Sequence, residues 1–215
     1  MPHDSLPPDA ARLICPATDP PRLTDPPIRL GIMASGNGSN MEAIAQAITQ
    51  GKLNAEIAGV VYNKPTAKVA ERAKARQIPA TLLDHRTFDS RESLDKAIIQ
   101  TLQAQSVDWV IMAGWMRRVT RVLIDAFPQR ILNIHPSLLP SFPGIRAIEQ
   151  ALNAGVKLAG CTVHYVELAV DSGPIIMQAA VPVLPDDTVE SLQARIQVQE
   201  HLIYPAAIAW AARRR

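Results

Sequence analysis

Asn133 and His135 stand two positions apart in the run RILNIHPSLLPSFPG, between Arg130 and Gly144. The run is otherwise apolar and strand-like. Successive side chains of a strand face opposite ways, so these two polar groups project to one side while Leu132 and Ile134 serve the other. One is a neutral amide donor; the other is a ring that can donate as a cation. Taken singly, a strand-end His or an Asn before a Pro-rich loop satisfies local backbone groups. Taken together they aim at one point, where a parallel strand would end, and open α/β sheets bind ligands outside that edge. Asp171, in VDSGP, fits two readings: a turn residue bonding its own backbone, or a carboxylate beside His135 that orients the ring and favours its charged form.

A second cluster has another chemistry. SGNGSN, Ser35 to Asn40, lies between a strand-like and a helix-like segment. Its glycines permit unusual backbone angles, and the amides of Gly38, Ser39 and Asn40 can face an anion such as phosphate at the helix N-terminus. The match to a dinucleotide fingerprint is loose: Gly36 and Gly38 give G-x-G, but the third Gly is missing, and Tyr62 and Asn63 end the second strand where an acid would stand. In the last helix, Gln197, Gln199, Glu200 and His201 interrupt an apolar stripe. Cys15 and Cys161 are far apart, with no CxxC and no Cys/His cluster, so neither a disulfide scaffold nor a zinc site is expected.

The elements that must position these groups follow from periodicity. IRLGIMAS reads as a strand, and Met41, Ile44, Ala45 and Ile48 repeat at helical spacing before Gly51. AEIAGVVYN, IPATLLD, DWVIMAG and RILNIH read as further strands, with helices between them at 67–76, 91–104 and 119–127. Strands separated by helix-length crossovers imply a doubly wound, mostly parallel sheet. A helix over 147–153 then leads to LAGCTVHYV and PIIMQAAVPV, an antiparallel extension, and to a long C-terminal helix. Asp187 and Glu190 offer that helix a capping box, and Pro205 a kink.

The chain has 215 residues, 47% hydrophobic and 20% charged, with a formal charge of +2. That fits one globular domain of α/β class, without a basic face for nucleic acid. Residues 1–27 are Pro-rich and lack apolar periodicity, which predicts an extended or disordered tail ahead of a single domain over 28–215. The Arg213–Arg215 run reads as a solvated helix end. No stretch approaches the ~18 apolar residues of a membrane span, and no secretory signal opens the chain. A reducing cytoplasm is the expected compartment.

SGNGSN, AGWMRR at Ala113–Arg118, NIHPSLLPSFPG at Asn133–Gly144, VDSGPII at Val170–Ile176 and QEHLIYP at Gln199–Pro205 together resemble the phosphoribosylglycinamide formyltransferases, folate-dependent enzymes of purine synthesis. The likeness runs from Ile28 to about Ala212. It implies a Rossmann-like formyltransferase fold and transfer of a formyl group from 10-formyltetrahydrofolate, as cosubstrate, to the glycyl amine of glycinamide ribonucleotide. It further implies that Asn133, His135 and Asp171 are catalytic, that Gly38, Ser39 and Asn40 hold the substrate phosphate and that Glu200 helps hold the ribonucleotide. Arg91, Met116, Arg117, Arg118, Val119 and Asn133 would contact the folate. No metal is implied. Attack by an amine on a formyl carbon creates a tetrahedral centre whose oxygen needs donors, each worth about 3 kcal/mol of barrier.

One departure stands out: some relatives carry His or Asn after the Pro-Gly of the loop, where this chain has Ile145, Arg146, Ala147 and Ile148. Arg146 either meets a phosphate or faces solvent. The neighbouring activities are methionyl-tRNA formyltransferase, which resembles a longer protein with an RNA-binding domain, and formyltetrahydrofolate hydrolase, which usually has an added N-terminal domain. A non-catalytic phosphate-binding module is the alternative from another class. Expected partners are small-molecule substrates, with no nucleic acid or membrane, in a monomer or homodimer.

Overall fold

Alternation of apolar side chains along the strands divides the interior into two layers, one on each face of a mixed sheet. The computed structural model describes residues 13–16 and 26–213. The strands are β1 (Ile14–Cys15), β2 (Ile28–Ala34), β3 (Ala55–Tyr62), β4 (Ala80–Leu82), β5 (Trp109–Met112), β6 (Ile131–His135), β7 (Leu158–Tyr165) and β8 (Ile175–Pro182). The helices are α1 (Ser39–Thr49), α2 (Val69–Ala75), α3 (Arg91–Ala104), α4 (Arg121–Ala126), α5 (Ala147–Asn153) and α6 (Val189–Arg213). The order across the sheet is β1-β8-β7-β6-β5-β2-β3-β4.

From β4 to β6 neighbouring strands are parallel; β7, β8 and β1 continue antiparallel. Leu30 and Ile32 of β2 face α1, α2, α5 and α6, while Met33 faces α3 and α4. Burial on both faces is what near-continuous apolar strands require. Gly31 lies where a Cβ would come within 2.6 Å of a Leu102 methyl, so a bare backbone lets α3 approach. Tyr204 of α6 is fully buried, with its hydroxyl 3.1 Å from the Met112 carbonyl and 3.2 Å from that of Leu132. It thereby pins α6 against the ends of β5 and β6.

The doubly wound, mostly parallel sheet with antiparallel C-terminal strands and a long last helix is as the sequence implied. Two details differ, the cap of α6 and the N-terminal segment. The capping box of α6 is built by Thr188 and Ser191, each amide donating to the other's hydroxyl. Asp187 lies one residue too early for that role and instead accepts from the Leu184 amide, the Ser191 hydroxyl and Arg195. Helix α6 runs through Pro205 as one 25-residue element. Within the segment expected to stay outside the fold, Ile14 and Cys15 pair with Ala179 and Gln178. An edge strand offers unpaired backbone groups to any neighbouring chain, and here the protein's own N-terminal segment takes them. The rest of the Pro-rich stretch over 1–12 and 17–25, and Arg214 and Arg215, lie outside the described residues.

Candidate active site

β2 connects to β3 on one side and, after β4, the chain crosses back to β5 on the other. The crevice at such a reversal, at the carboxyl ends of the strands, is where an open α/β sheet takes its ligand. Three groups of residues gather there.

The first forms at the end of β6. His135 is buried, its Nδ1 3.3 Å from Asp171 Oδ2 and its Nε2 2.9 Å from the Phe142 carbonyl. A carbonyl and a carboxylate can only accept, so a ring with a proton on each nitrogen satisfies both contacts. Asn133 pairs across the strands with His164, and its Nδ2 lies 3.2 Å from His164 Nε2. His164 Nδ1 donates to the Tyr165 carbonyl at 2.8 Å, which turns Nε2 towards Asn133. His164 Nε2 also stands 3.7 Å from Asp171 Oδ1. Asp171 adopts φ 51 and accepts from the Gly144 amide at 2.8 Å, so the loop after β6 is tied to the loop after β7. Burial pushes the Asp171 carboxyl upward, but His164, the Gly144 amide and the His135 charge outweigh it and hold it below its ordinary 3.8.

The second group is the glycine turn after β2. Gly38 caps α1 at φ 77, with Val69 packed so closely that a Cβ would lie 2.7 Å from its methyl. The turn is gripped from two sides. From α2, the Val69 amide donates to the Gly36 carbonyl and Arg72 Nε to that of Asn37. From α6, Gln197 donates to Ser39 Oγ at 2.9 Å, and Glu200 accepts from Asn40 Nδ2 at 2.9 Å. Burial pushes the Glu200 carboxyl up, against the lowering effect of Asn40. Asn40 Oδ1 is buried with no protein partner, an acceptor left for a ligand or water.

The third group forms the outer rim. The Ser35 amide donates to the Gly114 carbonyl, and Ser35 Oγ accepts from the Met116 amide at 2.9 Å, joining the turn to the loop after β5. Met116, Arg117 and Arg118 are exposed and Val119 is partly buried. Arg91 is exposed at the first turn of α3, and Asp95 of the same helix accepts from the Thr120 amide at 2.6 Å. Arg91 and residues 116–119 thus border the same edge.

The formyl transferase family model matches residues 28–208. The chain belongs to the formyl transferase family. It is 44% identical over 180 residues to a phosphoribosylglycinamide formyltransferase of Bacillus subtilis (strain 168), covering 84% of this chain and 92% of that one. The trifunctional purine biosynthetic protein adenosine-3 of Homo sapiens is 41% identical over 180 residues, 84% of this chain and 18% of that longer protein. Among solved structures, glycinamide ribonucleotide transformylase 1 from Symbiobacterium toebii superposes with a TM-score of 0.85 at 49% identity, covering 87% and 89% of the two chains.

In this formyl transferase, Asn133, His135 and Asp171 meet, and Gly38, Ser39, Asn40 and Glu200 meet. Neighbouring strands are about 4.8 Å apart, so the ends of β2 and β6, separated by β5, lie about 10 Å apart. Arg146 is exposed at φ 57 and stands 3.8 Å from Glu149. Two members escaped the sequence reading. His164 sits in an apolar strand and meets Asn133 only through antiparallel register; Arg72 looks like any helix-surface cation. Among the described residues no group of three or more His, Cys, Asp or Glu side chains is arranged to hold a metal.

Proposed function

We propose that the chain transfers the formyl group of 10-formyltetrahydrofolate to the glycyl amine of glycinamide ribonucleotide, in purine synthesis. The observation that carries this is the convergence of Asn133, His135 and Asp171 at the end of β6, two strands from the turn at Gly38 to Asn40. A phosphorylated ribose with a short amide-linked amine bridges that gap, its phosphate on the first turn of α1 and its ribose beside Glu200 and Asn40. Met116 to Val119 and Arg91 line the side from which the folate would enter.

Asn133 is held beside His164, and its amide offers an N–H to the oxygen of the tetrahedral centre. His135 supplies a second donor through Nε2; the Phe142 carbonyl marks its direction, and the formyl oxygen is an acceptor of the same kind. The Asn133 donor is in place before reaction, whereas the His135 N–H exchanges the Phe142 carbonyl for the formyl oxygen. With its carboxyl held below the ordinary range, Asp171 stays ionised, orienting His135 and offsetting its charge. A water beside the pair would carry the amine proton towards the folate nitrogen. The cytoplasm is the compartment we propose; among the described residues no helix is long and apolar enough to cross a membrane.

The test mixes the protein with both substrates and follows deformylated folate by absorbance. Ribonucleotide-dependent turnover is expected. His135→Ala should lower kcat about 10²-fold or more, while calorimetric titration shows ribonucleotide affinity within a few-fold of the parent. Folate release without ribonucleotide would indicate a hydrolase instead, and undiminished turnover in the variant would remove the mechanism.

A further inference from the structure

The two edges of the sheet differ in how they resist pairing with another chain. β4, at one edge, has three residues. At the other, β8 is an eight-residue strand, IIMQAAVP, without one charged side chain. Short strands, charges and prolines are what keep sheet edges from pairing with one another, and β8 has only Pro182 at its far end. There Arg195 also donates to the Pro182 carbonyl at 2.9 Å. Among the described residues, the open edge of β8 is paired at its middle by β1 alone: Ile14 lies against Ala179, Cys15 against Gln178, and the Ala180 amide donates to the Leu13 carbonyl at 2.9 Å. Beside this contact Pro16, Tyr165, Ile176, Trp210 and Ala211 line a hollow of about 260 Å³. Strand pairing is one of the general means of holding a peptide at a sheet edge. The segment lies outside residues 28–208, which the family model matches.

We propose that residues 13–16 are a built-in cap on β8, and that without them this edge pairs with β8 of a second copy of the same chain. β1 runs antiparallel to β8, so the edge already accepts a strand in the direction that a two-fold axis through Gln178 and Ala179 would supply. Such pairing is isologous: each copy offers the same uncharged strand and the contact closes as a dimer. A cap pairing two residues is weak as a separate peptide. Tethered through residues 17–25, it competes at an effective concentration on the order of millimolar, above the concentration of a second copy in solution.

The full chain is compared with a chain lacking residues 1–25 by sedimentation velocity over a concentration series, with turnover as the check on folding. The truncated chain should shift towards roughly twice the full chain's mass at concentrations where the full chain does not. Ala180→Lys in the truncated background puts a charge on the freed edge and should abolish the shift. Equal sedimentation of full and truncated chains overturns the proposal, and so does association that Ala180→Lys leaves intact. Should the truncated chain fail to fold, amide exchange on the full chain decides. Protection of the Ala180 amide that falls at least ten-fold in Cys15→Pro, with faster sedimentation, supports the cap. An Ala180 amide unprotected in the full chain, or no change in the variant, overturns it.

Discussion

The Gly144 amide donates a 2.8 Å hydrogen bond to Asp171 Oδ2, the same oxygen that stands 3.3 Å from His135 Nδ1. One carboxylate therefore joins two loops and orients the ring between them. The two duties can be separated. Asp171→Asn keeps an acceptor for Gly144 but loses the charge, whereas Asp171→Ala loses both. On the proposed mechanism both variants lower kcat about 10²-fold or more. Only the Ala variant should speed exchange of the Gly144 amide, and an unchanged kcat in the Asn variant would argue that the carboxylate is merely structural.

The same residue sets a pH dependence of stability. Its folded pKa is depressed, so the stability it contributes is present above the unfolded value near 3.8 and is lost as pH falls through the lower folded value. Urea unfolding of the parent and Asp171→Asn should show a gap that does not close between pH 7 and pH 4 and narrows only below about 3.8. Closure of the gap near pH 6 would mean that the carboxyl is protonated in the native protein at that pH.

What the sequence made legible followed from strong local patterns. The expected helices at Arg91–Ala104 and Ala147–Asn153 were found with those bounds, because apolar spacing acts within a few residues and Ser90 caps the first of them. β2, β3, β5 and β6 were equally clear, being apolar runs bounded by turns. β1 was not: two residues carry no period, and their place is set by the free edge of β8. His164 was hidden for a related reason. Its partner Asn133 lies 31 residues away, and only the register of β6 against β7 brings them together. The pairing of His135 with Asp171 stood in the sequence as one of two readings of Asp171, and only the resemblance to a family favoured it; no local rule links β6 to a loop 36 residues on.

Gly38 offers a test of the phosphate turn. At φ 77 an L-residue is strained by roughly 1–2 kcal/mol, and the added Cβ would meet Val69 at 2.7 Å. Gly38→Ala should therefore lower Tm and raise KM for the ribonucleotide well beyond any change in KM for the folate. Equal effects on both substrates would count against a phosphate cradle at this turn.

Glu200 separates binding from stability in the opposite sense. It is 9% exposed, burial raises its pKa, and the Asn40 bond offsets this only in part. A carboxyl whose folded pKa lies above its unfolded value contributes stability fully below that unfolded value, near 4.5, and loses it as pH rises through the folded one. At neutral pH, well above that unfolded value, Glu200 therefore costs stability. Glu200→Gln removes the charge while its amide oxygen still accepts from Asn40 Nδ2. Thermal unfolding at pH 8 should show the variant melting above the parent, with the difference shrinking towards pH 4. Ribonucleotide affinity should fall about ten-fold, the order expected when a buried hydrogen-bonding carboxyl is replaced by an amide. A variant that melts below the parent at pH 8 would mean that Glu200 is held as an anion by partners stronger than Asn40, and a variant that binds normally would place the ribose elsewhere.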